Sequence, residues 1–261
     1  MSSNPYAAPK AAVADETQVV RGNFVPGGRG VAAGRGMSWI GESWDLFKRS
    51  PGLWIGIVLV LFVIFVVAAF IPFIGMLATM LFFPVFMGGL MLGCRALEEG
   101  RELEFAHLFA GFRENMGTLV GIGGLYLAGT VAIMLVVTVI TGAGMFAMFA
   151  GGAQPQAGDI GTMLATMGLA ILIYLALTVP LLMAVWPAAP LVMFHEHGAI
   201  EAMKASFVGC LRNIVPFLVY GVVMFVLAIV AAIPIGLGWL VLGPMTVASV
   251  YTAYRDIYLA T

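Results

Sequence analysis

Charged side chains are scarce in this chain, and long stretches contain none. Asp, Glu, Lys and Arg make up 10% of the 261 residues, against about 25% in a typical soluble domain. Residues 50–94, 115–158 and 213–254 hold no charged residue at all. Because apolar residues make up 62% of the chain, the composition excludes a soluble globular protein and indicates a membrane protein.

The uncharged stretches also lack the groups that several functional classes need. Ion-coupled transporters place ionisable side chains inside the membrane, so their absence from these stretches disfavours that class. No GxSxG motif and no pairing of a nucleophile with a base is visible, so we expect no enzymatic activity, no catalytic residue and no cofactor. The two cysteines, Cys94 and Cys210, each lie next to basic residues. We expect both as free thiols in a reducing compartment.

The lengths of the uncharged stretches predict the number of membrane spans. A helix needs about 20 residues to cross the bilayer, so residues 50–94 and 213–254 are each long enough for two spans and a turn. The middle of the chain differs: we expect a span at about 116–140, a re-entrant or loosely ordered loop at 141–158, and a kinked or broken span at about 160–194. The fold is therefore predicted to be all-α, with six transmembrane helices arranged as three hairpin units.

Prolines are expected to mark the turns and kinks of these spans. Proline lacks the amide that continues the helical hydrogen-bond ladder. We place Pro72 and Pro234 in the turns of the first and third hairpins, and expect Pro84, Pro180 and Pro244 to kink the second helix of each unit.

Each unit is predicted to begin with an amphipathic helix lying in the membrane interface. The apolar positions recur at intervals of three and four residues, which places them on one helical face. The predicted interfacial residues are Trp39, Trp44, Phe47, Phe105, Phe109, Phe112, Met203 and Phe207. Ser50, Asn115 and Asn213 follow these segments and are predicted to cap the next helix through their side chains. A threefold repeat explains this pattern, although amphipathic helices also share their period by chance.

These features divide the chain into a tail and a membrane domain. Residues 1–36 are rich in Ala, Gly and Pro and are predicted to form a disordered cytoplasmic tail. Residues 37–261 form the membrane domain, with units at about 37–99, 100–197 and 198–261. Arginines in the tail favour a flexible arm near anionic lipid over RNA binding, because stacking aromatic residues do not accompany them. We expect no nucleic-acid partner.

The distribution of basic residues predicts the orientation. With two spans between successive basic stretches, all twelve Lys and Arg residues fall on one side of the membrane, and Asp159 is the lone charge on the other. Basic loops remain in the cytoplasm, so both termini are predicted to be cytoplasmic.

His195 and His197 are the weak candidates for a metal site. A spacing of two residues does not bring both imidazole rings to one face of a helix, and HEH is not the HExxH motif of zinc proteases. His107 joins them only if the second and third amphipathic segments pack together. We therefore predict no metal site and assign the pair to an interfacial loop.

Four stretches of this sequence resemble a family of uncharacterised bacterial inner-membrane proteins. They are NPYAAPKAAVAD at Asn4–Asp15, SWIGESWDLFKRSPGLW, GCRALEEG followed by FAHLFAGFRENMGTL, and ASVYTAYRDIY near the C-terminus. The chain is also distantly similar to the membrane domain of some bacterial glycerophosphodiester phosphodiesterases, without their soluble catalytic domain. The resemblance implies the bacterial plasma membrane and supplies no substrate.

The sequence leaves three functional hypotheses. The first is a non-catalytic multi-pass inner-membrane protein that acts through membrane lipid, an unidentified membrane-protein partner or a second copy of itself. The second is a passive channel or a carrier for lipids or small molecules. The third, a membrane enzyme, would depend on His195 and His197.

Overall fold

The structure is a computed structural model that describes the backbone of residues 22–150 and 157–260, with side chains except those of residues 143–150, 157–160 and 162. Helices dominate this part of the chain. They are α1 (Arg35–Arg49), α2 (Pro51–Ala69), α3 (Ile74–Glu98), α4 (Ala106–Ala110), α5 (Met116–Ala150), α6 (Ala157–Val185), α7 (Ala188–His195), α8 (Ala199–Arg212), α9 (Ile214–Ala232) and α10 (Trp239–Tyr258). Two short strands, β1 (Asn23–Phe24) and β2 (Leu259–Ala260), lie at the two ends.

Five stretches of helix in the described residues are long and apolar enough to cross a membrane. They are Pro51–Ala69, Ile74–Glu98, Met116–Gly142, Met163–His195 and Ile214–Ala232. Helices suit this environment because they satisfy every backbone hydrogen bond internally. These helices confirm the predicted all-α membrane architecture, without confirming the number of six spans. The helix α10 is not among the five, and its second half carries Arg255 and Asp256.

The prolines lie in the predicted elements. Pro72 lies in the turn between α2 and α3, and Pro234 in the turn between α9 and α10. Pro84, Pro180 and Pro244 lie inside α3, α6 and α10. The broken helix predicted for residues 160–194 breaks at Trp186 and Pro187, where α6 ends and α7 follows.

Two segments of the middle unit differ from their predictions. The loop predicted at 141–158 is wrong in its first part, because α5 continues to Ala150; residues 151–156 lie outside the described residues. The second amphipathic helix is only the five residues of α4. The chain turns at Gly111, where any side chain would clash with the carbonyl oxygen of Val85 in α3, so close backbone packing replaces a longer helix there.

The buried core lies toward the end of the bundle that carries the charged residues. The C-terminal halves of α3 and α10 are largely buried, as is most of α7. By contrast, α2 and α6 expose apolar side chains along most of their length, such as Phe62 and Leu172. Apolar side chains on a membrane helix are exposed to lipid tails at little cost, so these outer faces need no protein partner.

A small residue permits the close contact between α1 and α9. A Cβ atom at Gly36 would clash with the carbonyl oxygen of Pro216, which is backbone and cannot turn away. We expect Gly36→Ala to reduce the free energy of unfolding by about 2 kcal/mol, the order found for overpacked contacts. Unfolding of the purified protein by SDS in mixed micelles measures this change.

Gly41 provides the matched control on the same helix. It is exposed, and a Cβ there would meet nothing within 4 Å. Gly41→Ala is expected to stabilise the protein by about 0.5 to 1 kcal/mol, because alanine is the better helix former. An equal effect of the two substitutions would contradict the close approach of α1 and α9.

Candidate functional site

Backbone hydrogen bonds join the N-terminal segment to the C-terminus. The strands β1 and β2 pair antiparallel, with Phe24 opposite Leu259. The amide of Arg29 donates to the carbonyl oxygen of Ile257 over 2.8 Å. We call residues 22–34 the N-terminal arm. The arm lies along the end of α10, so both ends of the described chain meet at one place.

This order differs from the disordered tail predicted for residues 1–36, of which residues 1–21 lie outside the described residues. The arm has no apolar periodicity, and its order comes from partners more than 180 residues away. Gly28 shows how close this contact is: it has φ +74°, and a Cβ there would lie 2.7 Å from Cγ2 of Ile257. Such long-range contacts leave no local pattern in the sequence.

Asn213 holds the arm in place from the start of α9. Its side-chain oxygen accepts from the amide of Val31 over 2.8 Å, and its side-chain nitrogen donates to the carbonyl oxygens of Arg29 and Gly209, each over 2.8 Å. Arg212 donates to the carbonyl oxygen of Gly28 over 2.6 Å. Asn213 is fully buried, so these bonds satisfy an amide that is costly to leave unpaired.

The capping role predicted for the side chains of Ser50 and Asn213 is wrong. Ser50 and Asn213 stand at the N-cap positions of α2 and α9, but neither side chain bonds to an amide of its helix. Asn115 directly precedes α5 with φ 56°. At Asn213 the hydrogen bonds to the arm replace the cap.

Asp256 is the centre of an ion-pair cluster between the arm, α1 and α10. Its side-chain oxygens accept from Nε of Arg35 over 2.6 Å and from Nε1 of Trp39 over 2.9 Å. Arg29 lies 3.4 Å away and also donates to the backbone oxygen of Asp256 over 2.8 Å. The hydrogen bond to Asp256 raises the pKa of the Arg35 guanidinium above its ordinary value, so this cation stays charged.

Two further carboxylates, those of Glu42 and Glu98, extend the cluster to α3. Arg255 forms ion pairs with Glu42 of α1 and with Glu98 of α3, and Tyr251 donates to Glu98. Arg35 also pairs with Glu42 over 2.8 Å. We call these residues, with Asp256, Arg29 and Trp39, the terminal cluster. The cluster links four segments at one end of the bundle, and carboxylates thereby engage Arg29 of the arm and Arg35 of α1.

The predicted interfacial residues occupy different environments. Trp39 is fully buried against Phe217 and Tyr220, with ring centroids 5.1 and 6.3 Å apart, instead of lying at the headgroups. Phe47 is also buried. The exposed ones are Trp44, Phe105 and Phe109, and the half-buried ones are Phe112, Met203 and Phe207.

The two histidine candidates make contacts to protein groups. His195 Nε2 lies 2.6 Å from the hydroxyl oxygen of Tyr254, and its ring stacks on Phe24 of the arm at 3.9 Å. His197 Nδ1 lies 3.1 Å from the carbonyl oxygen of His195. His107 accepts instead from the amide of Glu104. In the described residues, no group of three or more His, Cys, Asp or Glu could hold a metal ion.

Two open grooves meet along α8. The larger, of about 730 Å³, runs between the arm and the start of α8, where its polar lining includes His197, Glu201 and Lys204. The smaller, of about 440 Å³, lies between α8, α5 and α6, and its apolar lining comprises Leu125, Ala184, Ile200, Met203 and Phe207. Both grooves are lined by Ile200 and Lys204, and both linings are mainly apolar; the larger one also carries the polar side chains of His197 and Glu201.

The cysteines are free thiols, and both are buried. Burial raises the pKa of the Cys210 thiol to about 12, so it stays protonated at neutral pH. In a Cys94→Ala background, we expect N-ethylmaleimide to label folded protein slowly at pH 7 and no faster at pH 9. An ordinary thiol reacts faster over this interval because the thiolate is the nucleophile. Labelling in SDS is the control, and rapid labelling of folded protein would contradict this burial.

Sequence reasoning did not find the terminal cluster. The sequence places Trp39 at the headgroups and Arg29 and Arg35 in a flexible tail. The one usable signal is that Glu98 and Arg255 lie close to the ends of two uncharged stretches, Arg255 directly after one of them. Their pairing depends on how α1, α3 and α10 pack.

The comparisons with known proteins agree with this description. The chain is 27% identical over 203 residues to a probable inner membrane protein of Burkholderia thailandensis, which covers 76% of this chain and 75% of the relative. No family model and no solved structure matches the chain. The expected resemblance to a bacterial inner-membrane protein is confirmed by this relative. This similarity and the apolar helices together support a transmembrane protein of the inner membrane.

Proposed function

We propose that this protein is non-catalytic and acts through contacts with lipid or a partner protein at the cytoplasmic face of the inner membrane. The observation that carries the proposal is the pair of grooves along α8. Met203 and Phe207 of this amphipathic helix line an open groove and are not sealed in the core. Grooves of mixed polarity at the charged end of a bundle suit an amphiphilic ligand or a partner helix.

The pairing of the chain ends supports six spans. Because β1 pairs with β2, both strands lie on the same side of the membrane, which requires an even number of crossings between them. Five helical stretches qualify by length and hydropathy, so α10 is the proposed sixth. The basic residues favour a cytoplasmic location for both ends. Three hairpin units then follow from the chain order.

A passive carrier is the second candidate. The observation that favours it is the open smaller groove between α5, α6 and α8, through which a lipid tail could leave toward the bilayer. The sequence of the spans offers few ionisable groups for coupled transport. Proteoliposomes test this candidate, since a carrier raises lipid or solute flux above that of empty vesicles.

Gentle purification of the full chain from native membranes tests the main proposal. Mass spectrometry of the eluate is expected to find a stoichiometric protein partner or one lipid class enriched over the bulk membrane. A span-only membrane protein of similar size, purified in parallel, is the control. Recovery of a monodisperse protein with the bulk lipid composition and no partner would contradict the proposal.

A further inference from the structure

We propose that the grooves along α8 seat one phospholipid whose headgroup carries both a phosphate and a primary ammonium group. This inference rests on the proposed function and names its ligand. The occupant is amphiphilic because the two grooves share Ile200 and Lys204, and the charged side chains of Glu201 and Lys204 lie on linings that are otherwise mainly apolar. A phospholipid spans such a surface with its headgroup in the larger groove and an acyl chain in the smaller one.

The smaller groove fits an acyl chain. Leu125 of α5 and Ala184 of α6 form one wall of the smaller groove, and Met203 and Phe207 of α8 form the other. The groove of about 440 Å³ lies beside helices whose outer faces are exposed and apolar. A chain seated there is continuous with the surrounding lipid, so it enters sideways from the bilayer.

Charge complementarity selects the headgroup. Lys204 and Glu201 both line the larger groove and are exposed, and neither side chain has a hydrogen bond or an ion pair with another described residue. They stand three residues apart on α8, one turn of the helix. A phosphate placed at Lys204 leaves Glu201 facing the next group of the headgroup, and an ammonium pairs with it.

The same pair disfavours the other common headgroups. An anionic glycerol headgroup offers a phosphate to Lys204 but no cation to Glu201. A choline headgroup offers a cation that cannot donate a hydrogen bond to the carboxylate. We therefore expect phosphatidylethanolamine to bind better than phosphatidylglycerol or phosphatidylcholine of the same acyl chains.

Native mass spectrometry of the delipidated full chain, titrated with each of these three lipids, tests the proposal. Phosphatidylethanolamine is expected to form the first 1:1 complex with an affinity about threefold above the other two, the order of one exposed ion pair. Lys204→Gln is expected to weaken all three lipids about fivefold, since a basic residue near the membrane surface contributes roughly that factor. Glu201→Gln is expected to abolish the preference and leave phosphatidylglycerol binding unchanged.

Three controls separate this site from general adsorption. Lys48→Gln removes an exposed cation on α1, away from the grooves, and is expected to leave the binding of all three lipids unchanged. Leu125→Trp fills the apolar groove with the charges intact and is expected to weaken all three lipids. Free phosphoethanolamine is expected not to compete, because it has no acyl chain.

The outcomes distinguish this inference from the proposed function. Equal binding of the three lipids by the unchanged protein, or unaltered binding by Lys204→Gln, overturns the lipid assignment. If a protein partner still copurifies with Lys204→Gln in that case, the proposed function stands without it. If the unchanged protein shows no lipid preference and no protein copurifies with it, both proposals are wrong.

Discussion

Asp256→Ala is expected to reduce the free energy of unfolding by about 3 kcal/mol. The substitution leaves Nε of Arg35 and the indole nitrogen of Trp39 without their acceptor, and Asp256 itself is only 10% exposed. Removing one partner of a buried charge pair costs about 3 to 5 kcal/mol. The lower value applies here because Arg35 is about one third exposed and keeps Glu42. SDS-induced unfolding of the purified protein measures the change.

Two further variants make the Asp256 result specific. Asp256→Asn keeps an oxygen for Trp39 and is expected to cost about half as much. Asp45→Ala removes the carboxylate of an exposed pair, in which Asp45 lies 2.8 Å from Lys48 with side chains 65% and 52% exposed. Such pairs contribute about 0.5 kcal/mol. A loss as small for Asp256→Ala as for Asp45→Ala would show that the terminal cluster does not hold the arm and α1.

Trp39→Ala is expected to have the largest effect, a loss of about 4 kcal/mol. Trp39 is fully buried between α1, α9 and α10, and its ring lies 5.1 Å from that of Phe217. Replacing a buried aromatic residue with alanine leaves a cavity that the surroundings only partly fill, at a cost of about 3 to 5 kcal/mol. The same unfolding measurement applies, and the hydrogen bond to Asp256 is lost as well.

Trp44→Ala is the matched control on the same helix. Trp44 is 41% exposed and stacks on Phe47 at 5.4 Å, so we expect a loss below about 1 kcal/mol. If both tryptophans were headgroup anchors, the two substitutions would have similar effects. Equal losses would therefore contradict the buried position of Trp39.

The membrane helices could be predicted because charge is excluded from lipid. A stretch such as residues 50–94 has a length that fits two crossings, and α2 and α3 lie there with Pro72 in their turn. The prediction depends only on local composition. It is wrong for residues 141–150, which begin a Gly-rich, Pro-containing stretch predicted as a loop but continue the helix α5. Gly is unfavourable in a helix by about 1 kcal/mol, which the continuing hydrogen-bond ladder outweighs in lipid.

The candidate site could be predicted only in part. The apolar stripe of α8 was visible from spacing, so Met203 and Phe207 were placed on one helical face. The roles of Trp39 and Asn213 were not visible, since an amphipathic pattern does not say whether its apolar face meets lipid or protein. That distinction depends on α9, α10 and the arm, which are distant in sequence. The paired carboxylate Asp256 was missed for the same reason.

The location of the C-terminus tests the account most directly, because α10 is the one proposed span that hydropathy does not single out. Alkaline phosphatase and green fluorescent protein, each fused after Thr261 of the full chain, report this location in living cells. Alkaline phosphatase is active only outside the cytoplasm. Green fluorescent protein does not fluoresce when it is exported across the membrane in unfolded form. We expect a fluorescent cell and an inactive phosphatase, which places both paired ends of the chain in the cytoplasm after six crossings. An active phosphatase with a dark fluorescent protein would show that α10 does not return to the cytoplasm, and would contradict the account.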